Sequence, residues 1–452
     1  MKTVFLCVPN YVFSTDLLRT RYIGYLASKY KVVVFMPMIG PEEAKRVGYF
    51  HSTNVQYVKW ELEVPKFWSI FKLFRIAAMT EFDYLESVRH FYKRPTFKNN
   101  WQRRLVRFFA KPFGQLLTAD FFTKLESRLH PRSLQFDKYL KQFQPSLVIT
   151  ATPGFNPFEA EMILLAKRSK LPTAAVNFTW DNLTTNCNHI RKTDYLIVWN
   201  DIVKEEAKKI HHYDLAKVFV AGVNKFDHYF RKEGKLSREE FLKSKKLDPK
   251  RKTIVFCSKP KTYVEQLDHV RGILEAREKG RLAAPVNLLI RPHPLDNRDN
   301  YKEFINLPNV YVDYSGKSMK FSAESVSNKI EMDEEDLMNL KYTLQYGDVH
   351  LQYGSTLALE AAIFDKPMVN IGFLKTLNHD TSYKVTHFWP VIETGASPIA
   401  KTPEELVDLT NQYLKNPMLH KENRRQLLEK FVVLRDGFAY KRNVDFLGNV
   451  LS

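Results

Sequence analysis

The stretch Leu351–Phe373, LQYGSTLALEAAIFDKPMVNIGF, predicts a strand, a tight turn, a helix and a second strand in succession. The first apolar run stops at Gly354, where the missing side chain lets the backbone approach a ligand closely. Ser355 and Thr356 follow as helix-capping residues, and a helix N-terminus of this kind suits a phosphate. Glu360 lies one turn further on a similar face, where it can accept hydrogen bonds from ribose hydroxyls. An ordinary N-cap followed by a surface glutamate explains the same residues, so the motif alone leaves both interpretations open.

The same alternation of short apolar runs and helical patterns continues through most of the chain, which is typical of parallel sheets covered by helices. It stops near residue 226, and a charged stretch separates it from a second series. We therefore predict an α/β protein with two Rossmann-like domains that face each other across a cleft. The predicted parts are an N-terminal acceptor domain (1–230) with a basic aromatic insertion at about 60–140, a linker (231–252), a nucleotide-donor domain (253–425), and a C-terminal helix (426–452) that crosses back to the first domain.

The net charge of +19 over 452 residues calls for an anionic partner, such as nucleic acid, anionic lipid or a phosphorylated small molecule. Cys7, Cys187 and Cys257 lie far apart, which favours a reducing compartment and argues against structural zinc. The N-terminal apolar run is too short for a signal peptide. The longest uncharged stretch contains three prolines, which argue against a membrane-spanning helix. We expect a soluble, cytoplasmic protein. No two glycines are separated by a single residue, so a dinucleotide fingerprint is absent.

The segment 66–111 departs from this pattern, with a net charge of +8 and twelve aromatic residues. Around NWQRRLVRFFAK, apolar side chains fall on one helical face and arginines lie beside or opposite it, as in a helix that lies in a membrane interface. The predicted membrane contacts are Trp101, Arg103, Arg104, Arg107 and Phe108. An amphipathic helix that packs on its own domain explains the segment equally well. Nucleic acid is a weaker third option, because no recognised nucleic-acid-binding motif accompanies the charge.

A second motif, LLIRPHPLD, places Arg291 and His293 directly after an apolar strand, on a loop that two prolines stiffen. Arginine matches phosphate oxygens bidentately, and histidine donates a hydrogen bond or transfers a proton near neutral pH. A solvated loop histidine is the alternative interpretation. After the preceding predicted strand, Ser258 and Lys259 are available to a diphosphate.

Together, RPHP and, some sixty residues later, YGSTLALEAAIFDKPMVNI resemble the donor half of GT-B fold glycosyltransferases of bacterial surface-polysaccharide synthesis. The pairs His-Pro and Ser-Thr are similar to the His-Pro and Ser-Ser/Thr motifs of bacterial sialyltransferases and capsule Kdo transferases. The turn also resembles CDP-glycerol glycerophosphotransferases and UDP-N-acetylglucosamine 2-epimerases. The likeness covers about residues 253–406 and is only architectural before that. It implies that Arg291, His293, Ser355 and Thr356 contact the donor phosphate and Glu360 the ribose. We also predict Gly354 as part of the donor site and His293 as a catalytic residue.

The sialyltransferase acidic-acidic-Gly motif has no clear match, so the catalytic base must be sought elsewhere. We predict it in NFTWDNLTTN, at the carboxyl end of a first-half strand, where Asp181 would take the acceptor proton. Trp180 would stack on a sugar ring, Asn182 would bind a sugar hydroxyl, and Glu159 would lie near the acceptor. An Asx-turn that caps the next segment is the alternative.

The leading hypothesis is a metal-independent glycosyltransferase that moves a sugar from a nucleotide-sugar to a lipid-linked or polysaccharide acceptor, at the inner face of the cell membrane. It predicts no cofactor and no nucleic-acid partner, with the nucleotide-sugar as substrate. We find no metal-ligand constellation in the sequence, which agrees with the use of helix dipoles and basic side chains by GT-B enzymes. The alternatives, in order, are a CDP-glycerol-type polyol-phosphate transferase, a 2-epimerase-like enzyme, and a non-enzymatic basic lipid- or nucleic-acid-binding protein.

Overall fold

The computed structural model describes residues 1–62, 101–113, 116–185, 190–231, 236–259, 265–318, 330–374, 383–384 and 386–451. The chain divides into two compact units. The N-unit contains Met1–His228 and Leu434–Ser452, and the C-unit contains Tyr229–Ser318 and Ile330–Val433.

The N-unit is built on a seven-stranded parallel sheet with the order β3-β2-β1-β4-β5-β6-β7. Strand β1 lies between β2 and β4 and is buried on both faces, with Val4 and Leu6 in one core and Phe5 and Cys7 in another. This double burial explains why β1 is a continuous apolar run rather than an alternating one. The strands β1 to β7 are, in chain order, Thr3–Cys7, Lys31–Met36, Val55–Lys59, Pro145–Thr150, Thr173–Val176, Tyr195–Val198 and Val218–Val220.

The described residues of the N-unit also form α-helices. They are Tyr11–Leu17, Arg21–Lys29, Pro41–Val47, Trp101–Ala110, Ala119–Leu129, Leu134–Phe143, Pro157–Arg168, Asn182–Thr185, Asp201–His211 and Ala439–Leu451.

The last of these helices belongs to the N-unit although it ends the chain. It starts where the Asp227 carboxylate accepts hydrogen bonds from the backbone N–H groups of Ala439, at 3.0 Å, and Tyr440, at 2.9 Å. A carboxylate in this position satisfies N–H groups that have no partner within the helix and complements the helix dipole. Val444 and Leu447 of the same helix are buried in the core beneath β1.

The C-unit has a six-stranded parallel sheet with the order β10-β9-β8-β13-β14-β15, and a short antiparallel pair formed by β11 and β12. The strands β8 to β15 are Lys252–Cys257, Val286–Arg291, Val310–Val312, Lys317–Ser318, Ile330–Glu331, Val349–Gln352, Met368–Ile371 and Ile399–Ala400. The α-helices are Arg238–Ser244, Gln266–Glu278, Glu334–Tyr346, Leu357–Ile363, Trp389–Ile392, Pro403–Lys415 and Lys421–Phe431.

Both units therefore have the parallel, helix-covered sheet that the alternating sequence predicts. Cys7 and Cys257 are buried free thiols, whereas Cys187 lies outside the described residues. A search of the helices in the described ranges finds none with the length and apolar character needed to cross a membrane.

Candidate active site

The strand order of the C-unit reverses between β8 and β13, because β9 and β10 lie on one side of that junction and β14 and β15 on the other. In open parallel sheets, ligands bind beyond the carboxyl ends of the strands at such a reversal. Ser258 follows β8, and the turn of Gly354, Ser355 and Thr356 follows β13. Two of the predicted donor-binding segments therefore flank the place where this topology favours a ligand.

Ser258 connects the loop after β8 to the loop after β9. Its Oγ accepts a hydrogen bond from the backbone N–H of His293 at 2.7 Å and donates one to Asp296 Oδ2 at 3.0 Å. Gln266 Nε2, at 2.8 Å, and the Tyr301 hydroxyl donate to the same carboxylate oxygen. This network fixes the RPHP loop, so the Ser258 hydroxyl already has protein partners. Its predicted contact with a diphosphate stays a prediction.

His293 is half-buried on that loop. Its Nδ1 accepts a hydrogen bond from the backbone N–H of Leu295 at 3.1 Å, so the proton of the neutral ring resides on Nε2. Burial lowers the pKa of His293 below its ordinary value, although the charge of Asp296 acts in the opposite direction. A neutral imidazole with one fixed N–H group is a suitable donor to a phosphate or sugar oxygen.

Arg291, the last residue of β9, is only 6% exposed and forms a buried ion pair with Asp313. Asp313 also accepts hydrogen bonds from Lys245 at 3.2 Å and from Asn339 at 2.9 and 2.8 Å. Burial alone would raise the pKa of Asp313, but the Arg291 and Lys245 cations bring it below its usual value. Within the described part of the chain, the Nη2 atom of Arg291 is buried and has no hydrogen-bond partner. That donor needs a water or ligand oxygen, because buried polar groups are rarely left unpaired.

The Gly354 turn requires glycine for two reasons. Its φ of +64° lies in the left-handed region, and a Cβ atom there would lie 2.9 Å from the Tyr383 ring. Close by, Lys259 Nζ lies 6.0 Å from the centroid of the Tyr353 ring, and burial lowers the pKa of this lysine. A cation therefore stands at the carboxyl ends of β8 and β13.

A buried amide relay holds Ser355 in place. Gln352 Oε1 accepts hydrogen bonds from the backbone N–H of Ser355 at 3.1 Å and from its hydroxyl at 2.6 Å. Gln352 Nε2 donates to Asn370 Oδ1 at 2.8 Å, and Asn370 Nδ2 donates to the carbonyl of Ser397 at 2.8 Å and to its hydroxyl at 3.0 Å. The relay runs from β13 through β14 to the loop before β15, and Gln352, Asn370 and Ser397 are each at most 2% exposed. The hydroxyl proton of Ser355 is thus engaged within the protein.

Thr356 precedes the helix Leu357–Ile363, but its hydroxyl does not cap that helix and instead donates to Glu360 Oε1 at 3.0 Å. The other carboxylate oxygen of Glu360 accepts from the Tyr229 hydroxyl. Burial and the adjacent carboxylate raise the pKa of Tyr229. Glu360 is only 6% exposed, so it is not the surface glutamate of the alternative interpretation. Its contact with a ribose stays a prediction.

The residues predicted to handle the acceptor lie in the N-unit after β5. Asp181 is half-buried and directly precedes the short helix Asn182–Thr185. Trp180 and Asn182 are 5% and 4% exposed, and Asn182 Nδ2 is buried with no hydrogen-bond partner in the described ranges. The charge of Asp181 adds to burial in raising the pKa of Glu206 to about 8, so the two carboxyl groups are neighbours. The roles of Asp181, Trp180 and Asn182 stay predictions.

Glu159 is completely buried at the start of the helix Pro157–Arg168. Its carboxylate accepts hydrogen bonds from the Thr152 N–H at 2.8 Å, the Thr152 hydroxyl and the Asn156 side chain. Burial raises the pKa of Glu159 to about 8 in spite of these donors. The side chain organises the loop after β4, and its predicted place near an acceptor stays a prediction.

The predicted membrane segment lies partly outside the described residues, which omit 63–100 and the side chains of Arg103 and Arg107. The helix Trp101–Ala110 exposes Trp101 by 68% and Phe108 by 73%, and Arg104 is also exposed. Leu105 and Phe109 are 49% and 65% exposed. In the described ranges, no group of three or more His, Cys, Asp or Glu side chains could hold a metal ion.

No protein-family model matches this sequence, and a search of curated proteins finds no match. Solved structures do match over the whole chain. The UDP-GlcNAc 2-epimerase from Neisseria meningitidis bound to UDP-GlcNAc is 12% identical, with a TM-score of 0.57 over 99% of this chain and 100% of that one. The S. aureus MnaA–UDP complex is 11% identical, with a TM-score of 0.55 over 100% and 97%. A glycosyltransferase from Rickettsia africae is 11% identical, with a TM-score of 0.52 over 100% and 99%.

These similarities confirm the predicted fold class, an α/β protein of the GT-B type with two Rossmann-like domains. At 11–12% identity they establish the fold alone. The resemblance of the His-Pro and Ser-Thr motifs to those of sialyltransferases and Kdo transferases stays a prediction.

Sequence reasoning missed Gln352, Asn370 and Tyr229. The first two carry a recognisable signal, because a lone amide inside an apolar strand must find a buried partner. Tyr229 carries no such signal, since its partner Glu360 is 131 residues away in the chain.

Proposed function

We propose that this protein is a glycosyltransferase that moves a sugar from a nucleotide-sugar donor to a lipid-linked or polysaccharide acceptor. One observation carries the proposal. The loops after β8, β9 and β13 lie at the same edge of the C-unit sheet, where the strand order reverses. Strands β9 and β13 lie on either side of β8, so their ends are about 10 Å apart, a distance that a diphosphate bridges.

The donor set at this edge suits the phosphates of a nucleotide. His293 provides a fixed Nε2–H, Arg291 has a buried donor atom with no partner among the described residues, and Lys259 adds a positive charge. Such pre-arranged donors stabilise the negative charge that develops on a departing phosphate without reorganising during the reaction. The resemblance of the RPHP and GSTLALEAA motifs to glycosyltransferase donor halves supports the same assignment.

In the proposed reaction, the bond between the anomeric carbon and the phosphate oxygen breaks, and a bond to the acceptor oxygen forms. The acceptor proton passes to Asp181, and the electron pair of the broken bond remains on the nucleotide phosphate, next to His293 and Arg291. Asp181 is suited to the base role because it is half-buried at the carboxyl end of a strand.

The donor site is tested by titrating UDP, CDP, CMP and GDP into the purified protein by calorimetry. His293→Asn should weaken binding of the preferred nucleotide by about 10- to 100-fold, because a hydrogen bond to a charged group is lost. His420→Asn is the matched control, since His420 contacts Tyr413 in the same unit. Equal affinity for wild type and His293→Asn would contradict the proposed donor site.

The reaction class is tested by incubating nucleotide-sugars with and without a lipid-linked saccharide. A transferase releases the nucleotide at a rate that depends on the acceptor, whereas an epimerase converts UDP-GlcNAc without one. Release of CMP from CDP-glycerol would instead establish the polyol-phosphate transferase. Asp181→Asn should bind the donor normally and lose turnover. Unchanged turnover would exclude Asp181 as the base.

We also propose that the helix Trp101–Ala110 binds the surface of an anionic membrane, which would place the enzyme beside a lipid-linked acceptor. Large apolar side chains exposed together mark interaction surfaces, and the surrounding segment carries a net charge of +8. Trp101→Ser/Phe108→Ser should reduce co-sedimentation with phosphatidylglycerol vesicles. Met418→Ser, which removes another exposed apolar side chain, should not. Equal sedimentation of both variants would contradict the membrane contact.

A further inference from the structure

Lys225 of the N-unit is a half-buried cation held among aromatic rings. Its Nζ lies 4.8 Å from the ring centroid of Phe178, 5.0 Å from that of Trp199 and 5.6 Å from that of Phe226. Aromatic faces stabilise an ammonium electrostatically but use few of its N–H groups. No acceptor for Lys225 Nζ is found among the residues that the structure describes, and no carboxylate there lies within ion-pair distance of it. The N–H groups of this half-buried cation are therefore available to water or to a ligand.

The surroundings of Lys225 belong to the edge of the sheet where ligands bind. Phe178 follows β5, Trp199 follows β6, and Lys225 lies beyond β7, which are neighbouring parallel strands. Phe13, on the helix after β1, meets Phe178 edge to face with ring centroids 4.7 Å apart. Phe13 and Phe178 are both half-buried, so this aromatic pair presents partly exposed rings beside the cation.

A buried carboxyl group, that of Asp16, also lies at this edge. Asp16 is 4% exposed, and its Oδ1 is buried without a hydrogen-bond partner in the described ranges. Burial raises the pKa of Asp16 to about 7, with a smaller contribution from Asp227, while the ammonium and the backbone N–H of Lys225 act in the opposite direction. The Tyr22 hydroxyl is likewise buried and unpaired there, and burial and the Asp16 charge raise the pKa of Tyr22. A cluster of unpaired buried polar atoms implies a bound water or ligand.

We infer that Lys225, Phe178 and Phe13 form an acceptor subsite that binds an anionic saccharide, with the ammonium on the charged group and the rings against the sugar. A carboxylate on a sugar ring and a sugar phosphate share this chemistry. This inference rests on the proposed function, and it identifies the acceptor of the transferase as a saccharide with a negative charge.

The test measures binding of glucose 1-phosphate, methyl glucuronide and neutral methyl glucoside to the full chain by calorimetry. Wild type should bind at least one of the two anionic saccharides, and the better one identifies the charged group as phosphate or carboxylate. Methyl glucoside should bind at least tenfold more weakly. Lys225→Gln should lose about tenfold or more of the affinity for the anionic ligand, because a charge-assisted hydrogen bond is removed. Lys225→Arg should retain most of it.

Lys141→Gln is the control, because Lys141 is an exposed lysine of the same unit. Equal binding of the anionic saccharide to wild type and Lys225→Gln would overturn the subsite, as would equal binding of methyl glucoside and both anionic ligands. Loss of binding in Lys225→Arg as well would also overturn it, provided that the variant retains the wild-type unfolding temperature.

UDP binding to the same proteins separates this inference from the proposed function. UDP affinity should be unchanged in Lys225→Gln, because the nucleotide is assigned to the C-unit. A protein that binds no nucleotide but binds glucose 1-phosphate through Lys225 would overturn the proposed transferase and keep the anion subsite. Normal nucleotide binding without any effect of Lys225 would overturn only the subsite.

Discussion

Replacing Gln352 by methionine, which has nearly the same shape, removes the centre of the amide relay beneath the Ser355 turn. Gln352 makes three hydrogen bonds, two accepted from Ser355 and one donated to Asn370. The Asn370 oxygen would be left buried without its donor, at about 1–3 kcal/mol, and each bond lost to the half-exposed Ser355 adds about 0.5–1.5 kcal/mol. Together these losses should lower the free energy of unfolding of Gln352→Met by about 2–6 kcal/mol.

The measurement is urea unfolding of the full chain followed by circular dichroism, alongside calorimetric titration of the preferred nucleotide. Under conditions where the variant is still folded, its nucleotide affinity should also fall, because the Ser355 turn is no longer held. Gln412→Met removes an exposed glutamine of the same unit and should change the free energy of unfolding by less than about 0.5 kcal/mol. A Gln352→Met variant as stable and as active in binding as the control would refute the relay.

Three further predictions concern buried carboxyl groups. Asp313→Asn should destabilise the C-unit by about 3–5 kcal/mol in thermal unfolding, because Arg291 is left without its anion. Folding lowers the pKa of Asp313, so its contribution to the free energy of unfolding is present above the unfolded pKa near 4 and is lost as the pH falls through the folded pKa. An Asp313→Asn variant whose free energy of unfolding lies within about 1 kcal/mol of wild type would contradict this. The pKa of Glu159 is raised to about 8, so its contribution is present at low pH and is lost as the pH rises from about 4.5 to 8. In this window, the free energy of unfolding of wild type should fall relative to that of Glu159→Gln by about 1.4 kcal/mol for each pH unit of increase. A difference between the two proteins that does not change with pH would contradict the assignment. Asp227→Ala should lower the free energy of unfolding by about 1–3 kcal/mol and make the helix Ala439–Leu451 more susceptible to proteolysis. An unchanged rate of cleavage in this helix would contradict the capping role of Asp227.

The alternation of apolar runs was enough to predict the architecture. The short apolar runs of the sequence coincide with β1, β2, β4, β5, β6 and β7 in the N-unit, and with β8, β9, β10, β13 and β14 in the C-unit. Strand β3, VQYVK, was missed because polar residues interrupt its apolar run. Strand β15 has only two residues and gives no periodicity.

The site was predictable only in its location. The sequence places RPHP and GST at strand ends, and parallel pairing brings those ends to one edge. It does not reveal that Arg291 has Asp313 as its partner, or that Thr356 donates to Glu360 rather than capping its helix. Those pairings depend on tertiary packing, which periodicity does not encode. The ring arrangement around Lys225 combines residues from the loops after β5, β6 and β7, so the sequence does not reveal it for the same reason.

Hydrogen–deuterium exchange with saturating UDP, or with whichever nucleotide binds best, tests the central claim most directly because it locates the ligand in the chain. Protection is predicted in peptides that cover residues 291–296 and 353–360, at the carboxyl ends of β9 and β13. Measurable nucleotide binding with protection confined to the N-unit, or absent from both peptides, would contradict the assignment of the C-unit as the donor domain.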